Sequence, residues 1–535
     1  MRRLLLLSVL LGLLVVPAAS QAATPGVNIS TFSELAAAKA TGAKYVRIFA
    51  PRAAASSDPT PFHALAAQAH ADGMSVIFVL LGDAGGGLTP PDPTDFATYA
   101  HNFAANMAGT GVAAYEIWNE EDETMFWAGT PNAAQYAAVV RAAYPAIKSA
   151  DPGAKVLLGP LTGNNYDFLN QLYANGAGGS FDAVSVHTDT ACLVDPPSSY
   201  YRENGNIARF SFLGLRTVHD VMAAHGDGAK PIWMTELGWT TATSTCARGM
   251  WAGKKAAGVS EAQQAANLKE AYHCLASYPY VETALWFTLT ETNSEGDELD
   301  HYGLLRTNGT PKPSYDAFRT VSTRGDTLTG PCGDFDAPSL KVTSPGTSEQ
   351  YVQVLTISAV ATDATNVARI TFHADGKEIR NFTGADVGSG KAVKLDWQGA
   401  KSLAFGKHTI TVIALDPQGN TSTVSVPVTR VKKLKATLKT SMKIGKVKIK
   451  GRKASISGKV AKTASAGLSG KVRVYWQQKR KGKWKTIHGG LKPANKPFTF
   501  RQKLKRSGTW RVQVKYVNVA PYKASVATSK SFKVR

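Results

Sequence analysis

Two glutamates close apolar, β-like runs: Glu120 in "VAAYEIWNEED" and Glu236 in "KPIWMTELGWT". A carboxylic acid and a carboxylate on neighbouring strand ends are the groups that displacement at an anomeric carbon requires. One protonates the leaving oxygen and the other attacks the carbon. Retention of configuration calls for the carboxyls to stand about 5 to 5.5 Å apart. One of them must stay protonated near neutrality, which the negative charge of its partner favours, and the other must be ionised, which a nearby guanidinium favours. Arg47 in "YVRIFA" ends another apolar run and suits the second task, while Asn119, one residue before Glu120, suits a hydrogen bond to a sugar 2-hydroxyl. Glu116, Glu121 and Glu123 are rivals for the acid role. In a strict period-two strand Glu116 shares the face of Glu120 about 13 Å deeper, which makes it structural.

The elements that must position these groups alternate regularly between residues 26 and 320. Eight strand candidates are Val27 to Ile29, Lys44 to Phe49, Ser75 to Leu80, Val112 to Trp118, Lys155 to Gly159, Phe181 to Val186, Pro231 to Thr235 and Val281 to Thr288. Between them lie amphipathic stretches such as "DPTDFATYAHNFAANMAGTG" and "SEAQQAANLKEAYHCLASY", several opening on Asp, Ser or Thr and closing on Gly, the residues that cap helices. Eight βα units predict a (β/α)8 TIM barrel over residues 23–330, with its chemistry at the C-terminal ends of the strands. A doubly wound sheet is the alternative, but no Gly-rich phosphate loop follows the first strand. His-Glu-x-x-His and Gly-x-Ser-x-Gly are both missing, so neither a metal, nor another cofactor, nor a serine nucleophile is implied.

Strand-4 Asn119-Glu120 together with strand-7 Glu236 resembles the clan A retaining glycoside hydrolases, a superfamily that includes cellulases, mannanases and xylosidases. The resemblance covers residues 26–320 and implies Glu120 as acid/base, Glu236 as nucleophile and a poly- or oligosaccharide with β-linked sugars as substrate. It also implies Arg47 beside the nucleophile, His187 of "DAVSVHTDT" at the end of the sixth strand, and Trp286 of "ALWFTLTE" flooring the site. Clan members often carry a Tyr two residues after that His; here the position is Asp189, which suits contact with substrate hydroxyls. Trp118, Trp127 and Trp239 are further candidates for stacking on pyranose faces. A barrel of this kind without turnover, acting as a wall-associated carbohydrate-binding protein, is the competing function.

Arg2-Arg3, the uncharged apolar run Leu4 to Val16 and small residues up to Ala22 have the order of a secretory signal peptide over 1–22. The run is too short for a stable transmembrane anchor, and a secreted, extracellular protein is expected. Cys192, Cys246, Cys274 and Cys332 then meet an oxidising compartment in even number, without metal-ligand spacing. Cys192 and Cys246 fall in loops after adjacent strands on the catalytic face, whereas Cys274 sits on the seventh helix and Cys332 trails the eighth. The expected pairs are therefore Cys192 with Cys246 and Cys274 with Cys332.

After Cys332 the helical periodicity stops, and short alternating strands with "ADG" and "PQGN" turns predict an immunoglobulin-like sandwich over 335–431. The same texture over 432–535 predicts a second all-β sandwich with an extreme charge. This tail holds 31 of the 61 Lys and Arg and none of the 39 Asp and Glu, so residues 1–431 are net acidic. Such a module seeks polyanions, with Trp476, Trp484 and Trp510 among its charges. For an exported chain the expected partners are anionic cell-wall polymers such as teichoic acids or acidic polysaccharides, or anionic lipid head groups, and nucleic acid is not expected.

Overall fold

The computed structural model describes residues 23–535 apart from 83–87, 189–191, 193, 248–250, 294–296, 435–437, 463–467, 469 and 518–521. The segment read as a signal peptide, and Asp189, thus lie outside the described residues. Two compact units divide the chain, residues 1–335 and 336–535. No helix among the described residues is long and apolar enough to cross a membrane.

The first unit is a closed parallel barrel. Its strands are β1 (Thr24–Asn28), β2 (Tyr45–Pro51), β3 (Ser75–Leu81), β4 (Ala114–Ile117), β5 (Lys155–Thr162) and β6 (Ala183–His187); then, after a small hairpin of β7 (Arg202–Glu203) and β8 (Asn206–Ile207), β9 (Ile232–Leu237) and β10 (Val281–Trp286). The order around the barrel is β1-β10-β9-β6-β5-β4-β3-β2, so the fourth and seventh barrel strands, β4 and β9, are separated by two strands. Among the described residues these helices accompany the strands: α1 (Leu35–Ala40), α2 (Arg52–Ser57), α3 (Thr60–Ala71), α4 (Pro93–Met107), α5 (Ala133–Ala150), α6 (Tyr166–Ala174), α7 (Leu215–Ala224), α8 (Glu261–Leu275), α9 (Asp297–Asp300) and α10 (Pro313–Arg324). The cap residues act as their types require: Asp92 accepts from the N–H groups of Thr94 and Asp95, Asn132 from Ala134 and Gln135, and Ser260 from Gln263.

Two apolar layers separate inside from outside. Ile77, Ala114, Leu157, Ala183, Trp233 and Leu285 come from six different strands yet pack together, which only side chains pointing into the barrel can do. A much larger core fills the space between strands and helices. Gly159 permits close packing at the top of β5: a Cβ there would lie 2.5 Å from Ile117 O, Tyr136 Oη and Glu121 Oε2. Disulfides join Cys192 to Cys246 and Cys274 to Cys332.

The second unit is all β. In its first part β11 (Ser339–Ser344), β13 (Leu355–Thr362) and β16 (Ala392–Trp397) form one sheet; β12 (Glu349–Tyr351), β18 (Thr421–Arg430), β17 (Gly406–Leu415), β14 (Arg369–Ala374) and β15 (Lys377–Thr383) form the other. Their alternate residues meet in a core that includes Ile357, Phe372 and Val412. The "ADGK" turn between β14 and β15 puts Asp375 and Gly376 at φ 48° and 82°, as a two-residue hairpin with right-handed twist demands. The second part pairs β19 (Thr440–Ile444) and β20 (Lys448–Lys450) with one edge of β21 (Lys453–Lys462) and β24 (Phe498–Lys503) with the other. Its companion sheet is β23 (Lys483–Pro493), β22 (Lys471–Arg480), β25 (Gly508–Tyr516) and β26 (Ser525–Thr528), with β27 (Phe532–Val534) also on β25. Trp476 and Trp510 are core residues of this module rather than members of its charged surface; Trp484 alone stays part-exposed, beneath the Arg511 guanidinium.

Candidate active site

Directly above the apolar plug, the inward positions of the strands turn polar. Tyr45 packs on the plug, so Arg47, two residues further along β2, faces the same way. On β4 the same step leads from Ala114 to Glu116, and on β9 from Trp233 to Thr235. Arg47 is 2% exposed and donates to four residues. Nε reaches Glu116 Oε2 at 2.7 Å, Nη2 reaches Asn119 Oδ1 at 2.8 Å, and Nη1 serves both Asn28 Oδ1, at 3.0 Å, and Glu236 Oε1. Burial works against the guanidinium charge, but Glu116 and Glu236 outweigh it and push its pKa up. Glu116 is fully buried; its other oxygen accepts from Thr235 Oγ1 at 2.8 Å, and it serves as the counter-ion that anchors Arg47 from below.

Past Ile117 the backbone leaves the strand through two left-handed residues, Trp118 at φ 72° and Glu120 at φ 44°. Non-glycine residues adopt such angles at a cost that the surrounding structure must offset. The result is that Trp118 swings out against Phe96 and Trp127 while Asn119 and Glu120 reach the mouth of the barrel. His187, at the end of β6, stands between the glutamates, with Nδ1 2.8 Å from Glu120 Oε1 and Nε2 3.5 Å from Glu236 Oε1. One oxygen of Glu120, one nitrogen of His187 and one oxygen of Glu236 all lie within 4.8 Å of one another. Two carboxylates and an imidazole at that spacing are close enough to hold a cation, and equally close enough to pass a proton.

The two acids meet different surroundings. Burial, with help from the charges of Asp122 and Glu123, pushes Glu120 up to about 8, so it is protonated at neutral pH although 18% of its side chain stays exposed at the mouth. The expected source of this shift was the partner Glu236; the structure instead names desolvation and the neighbours that follow Glu120 in sequence. Glu236 is 7% exposed and ion-paired with Arg47. Burial lowers His187 to about 4, which keeps the imidazole neutral.

The rivals for the acid role are placed elsewhere. Glu121 is fully buried behind the strand end, beside Tyr136 and Gly159, and neither of its oxygens accepts a hydrogen bond from another residue. Asp122 is tied to Thr162 and Asn165, and Glu123 lies 3.8 Å from Arg209.

Four tryptophans expected to contact sugar are placed away from it. Trp286 is fully buried in the outer core, its indole N–H donating to Tyr302 O at 3.0 Å. Leu285 belongs to the plug, so period-two alternation directs Trp286 outward and Phe287, which is part-exposed, inward. Trp118 and Trp239 are likewise fully buried, donating to Phe126 O at 2.7 Å and Asp195 O at 3.0 Å, and the further candidate Trp127 is 1% exposed. None of these rings offers a face to a ligand.

Exposed aromatic faces lie instead in the segment between β6 and α7, which the sequence pattern had not singled out. The Asn204-Gly205 turn, at φ 50° and 87°, folds β7 onto β8 and brings Tyr200–Tyr201 back against Phe210–Phe212. Between them is a cleft of about 220 Å³ lined in part by Asp195, Ser199, Tyr201 and Phe210. Arg209, next to Phe210 in the chain, donates to Thr162 O at 2.6 Å and stands 3.7 Å from Asp122, two residues after Glu120. Asn28, which braces Arg47 and bonds Thr235 O, is the other participant the sequence reading passed over.

Residues 338–412 match the family described as bacterial Ig domain. A comparison with curated proteins finds no match. Similar solved structures include a GH39 β-xylosidase from Caulobacter crescentus (17% identity, TM-score 0.42, 66% of this chain and 82% of that one). Another is GH5_18 from Streptomyces cattleya in complex with GlcNAc (15%, 0.43, 62% and 84%). A third is the Parabacteroides merdae β-glucuronidase (12%, 0.36), of which the chain spans 63% of the length while 95% of this chain is covered.

Proposed function

We propose that the barrel is a retaining glycosidase acting on a β-linked poly- or oligosaccharide, with Glu236 as nucleophile and Glu120 as acid/base. The observation that carries this reading is the pair itself: two carboxyl groups with one oxygen of each within 4.8 Å, one protonated below about pH 8 and the other paired with a buried Arg47. Oxygens this close favour the short retaining separation of about 5 to 5.5 Å, in which the second carboxylate attacks directly, over the roughly 6.5 to 9.5 Å that leaves room for a water.

In the first step the Glu120 O–H protonates the glycosidic oxygen while the Glu236 carboxylate attacks the anomeric carbon. The C–O bond breaks, the alcohol departs and a glycosyl ester forms on Glu236. In the second step the Glu120 carboxylate takes a proton from water, whose oxygen displaces Glu236 and restores both groups. Before substrate binds, with His187 neutral and Glu120 protonated, the Glu120 hydroxyl donates to Nδ1 and the imidazole N–H at Nε2 faces Glu236; the glycosidic oxygen then replaces Nδ1 as the acceptor. Arg47 occupies Asn119 Oδ1, which leaves the Nδ2 donors for the sugar 2-hydroxyl. The leaving-group sugar enters the Tyr201–Phe210 cleft, whose volume suits a single ring. Export of the chain is part of the same proposal, supported by its two disulfides.

A panel of 4-nitrophenyl glycosides and β-linked polysaccharides, with the anomeric form of the first product read by NMR and the trapped ester located by mass spectrometry, tests this. Retention with label on Glu236 is the expected result. Failure of the whole panel, or a first product of inverted configuration, overturns it.

A further inference from the structure

The basic sandwich carries its charges in register. On β20, β21 and β24, Lys450, Lys453 and Lys503 lie directly opposite one another, and Lys448, Ser455 and Arg501 form the next outward row. Further along β21, Lys459 lies opposite Lys443 of β19. Ala454, Ile456, Phe498 and Phe500 point into the core, so these cations share the opposite, solvent face, and every one of them is exposed. Strands run about 4.8 Å apart, and like charges directly opposite destabilise a sheet. With no Asp or Glu anywhere in 432–535, nothing within the module offsets the repulsion. A bound polyanion would.

The face also says which polyanion. Six of these seven cations are lysines, which bind phosphate as point charges, and the single Arg leaves little provision for bidentate recognition of planar carboxylates. Hydroxyls of Ser455, Ser457 and Thr499 lie between them as neutral donors. Among the described residues no aromatic ring stands on this face to stack bases or neutral sugars. We propose that the outer face of the β20–β21–β24 sheet, with the adjoining β19, binds an extended phosphodiester polymer of the cell envelope, poly(glycerol phosphate) being its simplest form.

Binding of the full chain to poly(glycerol phosphate) is measured by calorimetry between 50 and 300 mM salt, beside a variant with Lys448, Lys450, Lys453, Arg501 and Lys503 all replaced by Gln. A control variant loses the same charge from the companion sheet by Lys471, Arg473, Lys479, Lys483 and Lys515→Gln. The face variant is expected to lose affinity at least about tenfold, and its log–log salt slope should fall by about 0.7 per cation removed, the single-strand value. The control should keep most of both. The melting temperature of the face variant should stay equal or rise as the repulsion is relieved, which separates lost binding from lost fold. Equal losses in both variants, failure of the intact chain to bind the polymer, or preference for phosphatidylglycerol vesicles or duplex DNA at equal phosphate would each overturn the proposal. Hydrolysis plays no part in this readout, so the glycosidase proposal stands or falls separately.

Discussion

His187 Nδ1 lies 2.8 Å from Oε1 of Glu120, joining a neutral imidazole to a carboxyl group that burial holds protonated. An acid whose folded-state pKa is raised to about 8 is in its proton-donating form below that value and loses it as pH rises through it. The kcat/KM of the free enzyme is therefore expected to fall on the alkaline side with an apparent pKa near 8, and this limb should vanish in Glu120→Gln assayed with a leaving group that needs no protonation. An alkaline limb left unchanged by that substitution would assign it to another group.

Removal of the acid should be graded by the leaving group. Glu120→Gln is expected to cost about 100- to 10,000-fold in kcat on a polysaccharide and much less on a 2,4-dinitrophenyl glycoside, because a good leaving group departs unprotonated. Glu236→Gln should abolish both, since its role is bond formation. Steady-state rates on the two substrates distinguish these patterns.

Arg47 ties four groups together, and its loss leaves Glu116 and Glu236 buried without their counter-ion. Arg47→Met is expected to lower stability by about 3 to 5 kcal/mol, a typical cost of breaking a buried pair. Urea unfolding should show most of that loss recovered when Glu116→Gln is added, because the deepest uncompensated charge is then gone.

In the cleft, Tyr201→Ala together with Phe210→Ala should raise KM for a polysaccharide about tenfold, from lost ring burial and stacking. Hydrolysis of a glycosyl fluoride, whose leaving group fills no sugar site, should be unchanged. Equal effects on both substrates would mean the two rings support the loop rather than the ligand.

A chain ending at Val431 should hydrolyse small soluble glycosides as well as the full protein, since every proposed catalytic group lies in the first unit, which has its own core. It should be retained less on anionic wall material in a pull-down at low salt. Activity lost on truncation would tie the tail to the site.

Much of the architecture was legible because it rests on local patterns. Eight apolar runs separated by capped helical stretches leave few alternatives to a closed parallel barrel, and acidic residues at strand ends in such a barrel stand at one mouth. Turn chemistry such as Asp375-Gly376 is local too. What remained hidden depends on closure. Barrel strands are buried on both faces, so "ALWF" has no polar alternation to tell inside from outside, and only the register with neighbouring strands sends Leu285 inward and Trp286 outward. The left-handed turn at Trp118 and Glu120 is equally invisible to propensity, because it is held by contacts rather than favoured by those residues. Arg47 and Glu236 are 189 residues apart, and Glu116 and Thr235 are 119 apart. The residue types could be read from the chain, but the ion pair that prepares one carboxylate and the burial that protonates the other come into being only when the eighth strand meets the first.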